Sequence, residues 1–327
     1  MEIVAYLVIL LFFWIAFTIL NLTISGLLSL FLIISFKRAF CWGLLSLLVP
    51  VIGLAYGMII ERNFYQVKNV ELEFSNLPAS YDGYRVVQLS DVHSRSFRNR
   101  AGSLQRAVNK VNALNPDIIL FTGDIITIEP AEMDYTAGIL QGLKADDGII
   151  SILGNHDYGL YMNPGRRNVV NEECIREIVS REYNMGWHLL LDENIKISRG
   201  NDSIAIIGVE NTTSSSYFPS RGNLTKASEG TEGLFRILLS HDPLHWEEEV
   251  IGRDYPLTLS GHTHALQFSL FGWCPSKYIF KQYRGLYKKN SQMLYVNIGL
   301  GETVFPARIG TPPEITVITL KKESIIE

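Results

Sequence analysis

Two uncharged stretches dominate the start of this 327-residue chain. Ile3 to Phe36 carries no charged side chain, Lys37 and Arg38 interrupt, and Ala39 to Ile60 is again uncharged before Glu61 and Arg62. A hydrocarbon core of roughly 30 Å takes about 20 apolar residues as a helix, so the second stretch fits one span. The first would reach about 51 Å as a single helix at roughly 1.5 Å per residue, which is too long for one upright span. A break near Asn21-Leu22-Thr23-Ile24-Ser25-Gly26 would divide it. Residues 1–62 therefore read as a transmembrane region of two or three spans, and the break favours three. A cleaved signal peptide does not fit the length, the missing basic start or the second apolar stretch. Sidedness is a tie: Lys37 and Arg38 draw one turn toward the cytoplasm, and Arg62 and Lys68 draw the other way.

After residue 62 the pattern changes to short apolar runs separated by polar turns. Val67, Val70, Leu72 and Phe74 mark an extended segment. Tyr84–Ser90, Asp117–Thr122, Gly148–Leu153, Ser203–Val209, Phe235–Ser240, Pro256–Ser260, Leu294–Ile298 and Glu314–Leu320 are rich in Val, Ile and Leu and read as buried strands. Helical spacing covers Arg100–Leu114, Ala131–Leu143 and Glu172–Asn184. Strands that alternate with helices early, and then mostly strands, predict an α/β sandwich with layered sheets. Residues 63–327 are enough for one domain with a substantial core.

Composition adds little to this. The formal net charge of −4 argues against nucleic acid as a main partner. Cys41 lies in an apolar stretch, and no motif surrounds Cys174 or Cys274, so a disulfide between them cannot be asserted. No feature names a protein partner.

Five of the seven histidines lie in short motifs with aspartate, asparagine and glycine. In order these are Asp91-Val92-His93, Gly123-Asp124, Gly154-Asn155-His156-Asp157, His241, and Gly261-His262-Thr263-His264. Each follows directly on one of the predicted strands, at the sheet edge where ligands of open α/β sheets bind. Carboxylates and imidazoles without thiolates suit Mn, Fe, Zn and related ions. Glycine before Asp124, Asn155 and His262 is expected to let the backbone turn sharply. Each motif alone has an ordinary reading as a turn or cap. Together, in this order and at strand ends, they form a ligand set for two divalent ions. Such a pair generates a nucleophile at neutral pH and holds a phosphate.

These motifs resemble those of the calcineurin-like metallophosphoesterase family, from about Tyr84 to Leu320. The resemblance implies a four-layer αββα sandwich with a dinuclear centre, following the N-terminal helical region. It implies Asp91, His93 and His264 as ligands of one ion, Asn155, His241 and His262 as ligands of the other, and Asp124 as the bridge. His156 is then the catalytic histidine outside the ligand set, with Asp157 placed to orient it. Many members carry a second aspartate three residues after the Gly-Asp motif. Thr127 stands there in this chain, which changes the surroundings of the metals and not the ligands themselves.

The activity implied is hydrolysis of phosphodiester or pyrophosphate bonds by a membrane-anchored enzyme, with Mn, Fe or Zn as the ions. Lipid-linked phosphate esters are among the expected substrates. Some membrane-associated members cleave UDP-2,3-diacylglucosamine in lipid A synthesis, which needs a cytoplasmic active site. The expected location is multi-pass in a bacterial inner membrane, with the side of the catalytic domain open. A non-catalytic scaffold is the alternative of another class. Scaffolds tend to lose ligands, and none is lost here.

Two further segments bear on substrate. Ala265 to Asn290 interleaves Phe268, Phe271, Trp273, Tyr278, Phe280, Tyr283 and Tyr287 with five basic residues, a mixture suited to a membrane interface or to a half-buried hairpin with a solvated basic face. Asn211–Gly233 reads as a loop able to reach the site, with Glu210 and Asn211 near its start. Trp187, His188, His245 and Trp246 read as packing or outer residues.

Overall fold

The computed structural model describes residues 2–31, 33–46, 48–162, 169–303 and 305–323. Among these, twelve strands form two six-stranded sheets. The first has the order β1 (Gln66–Phe74), β12 (Glu314–Lys322), β2 (Arg85–Leu89), β3 (Ile118–Phe121), β4 (Ile149–Ser151) and β5 (His188–Leu189). The second has the order β10 (Gly285–Lys289), β11 (Gln292–Val296), β9 (Leu257–Ser260), β8 (Phe235–Leu239), β7 (Asp202–Gly208) and β6 (Glu193–Arg199). Strands β2, β3, β4 and β5 are parallel, as are β11, β9, β8 and β7. Antiparallel pairs join β12 to β2, β10 to β11 and β6 to β7.

Side chains on successive strand positions point to opposite faces, and β2 shows how this builds layers. Val86 packs between the sheets with Leu120, Ile206, Ile237 and Leu259. Val87 and Leu89 pack outward. Their partners include Leu104, Val108 and Val111 of a helix at Ala101–Asn112 and Ile175 and Ile178 of a helix at Glu172–Asn184. On the far side of the second sheet, Ile207, Leu238 and Val296 pack under Trp246 and Val250. The outer covering there is short turns, at Leu224–Ala227 and Trp246–Val250. The chain is thus a mixed α/β sandwich of two sheets, with long helices on one outer face.

The nine expected strand segments are all present. Strands β5, β6 and β10 went unread, and each is the edge of its sheet. Edge strands bury one face at most and carry charge to block pairing, so β6 and β10 show no continuous apolar run. The helix expected over Ala131–Leu143 is instead a 3-10 segment, Pro130–Tyr135, followed by a short helix, Ala137–Leu140.

At the N-terminal end, α1 (Glu2–Leu30) runs as one helix of 29 residues, about 43 Å long. The break expected near Asn21–Gly26 is absent. Its polar side chains are satisfied without one. Thr23 Oγ1 donates to Ile19 O at 2.9 Å, Ser25 Oγ to Asn21 Oδ1 at 3.2 Å, and Asn21 Nδ2 to Phe40 O at 3.4 Å. Short hydroxyl and amide side chains bond back to a helix and need no solvent, so a three-span reading loses its turn. Two helices follow, α2 (Phe36–Ser46) and α3 (Leu48–Ile59). Among the described residues one segment, Phe36–Asn63, is long and apolar enough to cross a membrane by length and composition. Val49, Ile52, Ile59 and Ile60 on it are exposed.

Candidate metal centre

The donors all lie just past the C-terminal ends of strands. Asp91 follows β2, Asp124 follows β3 and Asn155 follows β4, all in the first sheet. His241 follows β8 and His262 follows β9, in the second. The site therefore spans both sheets, and polar side chains tie them together beneath it. Gln88 Nε2 donates to Ser260 O at 2.8 Å and to Thr122 Oγ1 at 3.2 Å.

The backbone at the donors is unusual. Asp91, His93, Asp124, His262 and His264 have φ of 48, 44, 58, 74 and 50°. Left-handed backbone is uncommon outside glycine and accumulates at functional sites. It turns each chain end back over its strand and faces the side chains toward one another. The flanking glycines act mostly through space. A Cβ on Gly154 would sit 2.2 Å from Asp124 Oδ1, and one on Gly261 would sit 2.0 Å from Ser90 Oγ.

Among the described residues, three sets of donor atoms approach within 4.8 Å: Asp91, His93 and His264; His93, Asp124 and His156; and Asp124, His241 and His262. Asp124 belongs to two of them, with Oδ2 3.2 Å from His241 Nε2 and 3.7 Å from His93 Nε2. His264 Nε2 is 3.2 Å from Asp91 Oδ1 and 3.0 Å from His93 Nε2. Asn155 Oδ1 is 2.7 Å from His262 Nδ1 and 3.2 Å from His241 Nε2. All seven expected ligand residues thus converge.

The outer nitrogens fix how the imidazoles face. His93 Nδ1 donates to Ile126 O at 3.1 Å and His241 Nδ1 to Thr122 O at 2.7 Å. In its neutral form each ring then turns its Nε2 lone pair inward, the arrangement that metal-binding histidines use. Lone pairs and carboxylate oxygens so aimed repel one another unless a cation lies between them. Burial by itself would lower the His241 imidazole, but the Asp124 carboxylate beside it, with help from Asp91, pushes it up to about 10. That place in the site demands positive charge. Burial also raises Asp91 and Asp124, yet the surrounding imidazoles, His264 foremost at Asp91 and His241 at Asp124, hold both below the ordinary carboxylate range. Burial, with His156 next to it, holds His93 well below its ordinary value, and burial lowers His262 as well. Anionic carboxylates and neutral imidazoles are the forms that bind metal, so the residues present fit a metal centre.

The expected pairing of Asp157 with His156 is not what the fold builds. Asp157 is fully buried and accepts from Asp124 N and Gly154 N at 2.8 Å each and from Ile126 N at 3.1 Å. It braces the Asp124 loop from behind. Burial and then the Asp124 carboxylate push it up to about 8, against the Gly154 and Ile126 donors. His156 Nδ1 instead donates to Thr127 O at 2.7 Å. The residue that departs from the family pattern serves through its carbonyl, which any side chain supplies. The His156 amide donates to Asp124 Oδ1 at 2.8 Å.

Aromatic side chains surround the donors, Phe280 from the Ala265–Asn290 segment and Tyr161 and Phe218 without any local signal in the sequence. The Tyr161 ring stacks on His156 with centroids 4.5 Å apart, and Phe218 and Phe280 stand edge-on to His262 at 5.3 and 5.7 Å. His156 and His262 are the half-buried members of the site, so this aromatic rim surrounds its open side. Arg308 reaches His264 from behind. No local motif marks it, 44 residues further along the chain. The Asn211–Gly233 loop does reach the site through Phe218, while Glu210 and Asn211 organise that loop through Arg221, Tyr158 and Pro219. His245 lies away from the donors, between Ser240 Oγ at 2.8 Å and Glu249 Oε2 at 3.0 Å. Trp187 and Trp246 are core residues. Cys174 and Cys274 are buried and unpaired.

Residues 84–266 match the model of the calcineurin-like phosphoesterases. The chain belongs to the calcineurin-like phosphoesterase family. Among its relatives is an uncharacterized metallophosphoesterase, YkuE, of Bacillus subtilis (strain 168), 32% identical over 82% of this chain and 90% of that one. A transmembrane protein with metallophosphoesterase domain of Danio rerio is 32% identical over 85% of this chain and 62% of the relative. The UDP-2,3-diacylglucosamine pyrophosphatase LpxG of Chlamydia muridarum (strain MoPn / Nigg) is 26% identical over 82% of this chain and 93% of the relative. This calcineurin-like phosphoesterase is a metal-dependent phosphoric ester hydrolase, and its clustered Asp and His side chains are able to bind metal.

Proposed function

We propose a membrane-anchored phosphodiesterase or pyrophosphatase with two divalent ions. Asp91, His93 and His264 would hold one, Asn155, His241 and His262 would hold the other, and Asp124 would serve both. The observation that carries this is the place of Asp124, whose carboxylate lies within 4.8 Å of donor atoms of His93 and His156 on one side and of His241 and His262 on the other. Two ions in such a set, Mn, Fe or Zn by donor chemistry, supply a nucleophile at neutral pH and charge for the phosphate oxygens. His156, held by Thr127 O at the open side, donates a proton or hydrogen bond to the leaving oxygen. Residues 1–62 form the anchor and residues 63–327 the catalytic domain. The exposed apolar side chains of Phe36–Asn63, such as Val49, Ile52 and Ile59, and the name of the Danio rerio relative support the anchor.

The LpxG relative, matched over 93% of its length, favours one specific substrate within this reading, UDP-2,3-diacylglucosamine. The test is hydrolysis by detergent-solubilised full-length protein loaded with Mn²⁺, offered that substrate and bis-p-nitrophenyl phosphate in parallel, with metal content measured. Activity and bound metal are expected to be lost together in Asp124→Asn. Normal turnover in that variant would sink the metal assignment. UMP release would support the nucleotide-lipid substrate, and cleavage of the artificial diester alone would remove it while keeping the chemistry.

A further inference from the structure

The chain between His264 and Tyr283 leaves the metal centre and returns to it. Thr263 Oγ1 donates to Tyr283 O at 2.6 Å, and Phe280 stands against His262. In between, a short hairpin projects outward. Leu270 and Trp273 exchange both backbone hydrogen bonds, at 2.8 and 2.9 Å. The two residues of its turn, Phe271 and Gly272, have φ of 48 and 83°. Turns of this kind take Asn, Asp or Gly at the first position. A phenylalanine there is strained, and its ring is 100% exposed. Leu270, Trp273, Tyr278 and Ile279 beside it are also exposed. Contiguous apolar surface of this kind marks an interaction site.

The hairpin is fastened to the apolar helix. Ser269 N donates to Ile309 O at 2.7 Å, Ile309 N to Gln267 O at 3.0 Å, and Arg308 N to Gly57 O of α3 at 3.3 Å. Gly57 permits that approach, since a Cβ there would lie 2.8 Å from Arg308 O. Main-chain bonds therefore run from α3 through residues 307–309 to the base of the hairpin. The exposed aromatic tip and the exposed apolar flank of α3 belong to one connected body.

We propose that the 268–280 hairpin seats in the interfacial layer of the bilayer that takes α3, so that the metal centre opens toward phosphate esters presented among the lipid head groups. Trp and Tyr side chains settle at that depth. Lys277, whose Nζ lies 4.9 Å over the Tyr278 ring, supplies attraction to anionic lipid. This rests on the membrane-anchored phosphoesterase reading and adds to it the surface from which substrate is taken.

The test uses full-length protein in vesicles of equal parts phosphatidylcholine and phosphatidylglycerol. In a Cys41→Ser background, Phe271→Cys carries a spin label, and Tyr183→Cys, at a side chain 78% exposed on the helix Glu172–Asn184, serves as the aqueous reference. The label at 271 is expected to meet membrane-dissolved oxygen and to be shielded from a water-soluble nickel chelate, with the reverse at 183. Equal nickel access at both positions overturns the proposal. In parallel, a variant with Phe271→Asp and Ile279→Asp is assayed on a p-nitrophenyl phosphatidyl ester in the vesicles and on bis-p-nitrophenyl phosphate in water. The vesicle rate is expected to fall by about tenfold or more while the soluble rate holds, which also shows that the variant folds. An unchanged vesicle rate overturns the delivery route. Absence of hydrolysis of the soluble diester by the unsubstituted protein defeats the phosphoesterase reading, and the label depth still decides where the hairpin sits.

Discussion

Arg308 Nη2 lies 3.2 Å from His264 Nδ1. The guanidinium is completely buried and also donates to Ile298 O at 2.9 Å, to Thr311 O at 3.1 Å and to Gly301 O. Burial lowers its pKa to about 10, with the Glu302 and Asp91 carboxylates pulling it back up. A guanidinium only donates, so His264 Nδ1 accepts from Arg308, and the same side chain holds the loop after β11 against the site. A lysine has no planar fork and leaves some of these carbonyls without a partner. Arg308→Lys should bind Mn²⁺ about 10- to 100-fold more weakly and melt at a lower temperature. Titration of activity with metal, beside a thermal melt, checks both; unchanged metal affinity would refute a positioning role.

His156 and Asp157 are neighbours in sequence with separate duties in the fold. Asp157→Asn takes one acceptor oxygen from three backbone donors around the Asp124 loop, which should cost about 1–3 kcal/mol of stability and reduce bound metal. His156→Asn should leave metal content intact and lower kcat by about 10²- to 10⁴-fold. His156 also stands among the donor atoms near His93 and Asp124, so metal analysis of this variant is decisive. Equal metal loss in the two proteins would end the division of roles.

Glu182 gives the fold a pH dependence. It is completely buried on the helix Glu172–Asn184, hydrogen-bonded to Ser151 Oγ, and burial pushes its carboxyl up to about 8 from an ordinary 4.5. A carboxyl raised in the folded state favours folding while protonated, and that advantage is lost as pH rises from about 4.5 through about 8. The melting temperature is expected to fall across that window, and Glu182→Gln to flatten the fall. An identical pH profile in the variant would show that Glu182 does not titrate there.

The central strands and the donor motifs were legible in the sequence for one reason. A strand buried on both faces must be a run of Val, Ile and Leu, and a donor at its end must follow that run directly, as Asp91 follows Leu89 and His262 follows Ser260. Strands β5, β6 and β10 escaped because an edge strand is under no such constraint. The polar positions Asn21, Thr23 and Ser25 suggest a break because sequence alone does not say whether a side chain bonds within its own helix or to a neighbouring one.

The sequence by itself determined the α/β architecture, the two apolar stretches and the Asp, Asn and His motifs at the strand ends, because these follow from local periodicity and residue type. The tertiary structure decided what depends on directions between distant segments. It turned Asp157 to the backbone, gave His156 to a carbonyl, set Arg308 behind His264, and bound the Phe271 hairpin to α3. Hydrogen bonds across dozens of residues have no signature in local spacing, since any chain segment that reaches the place can supply them.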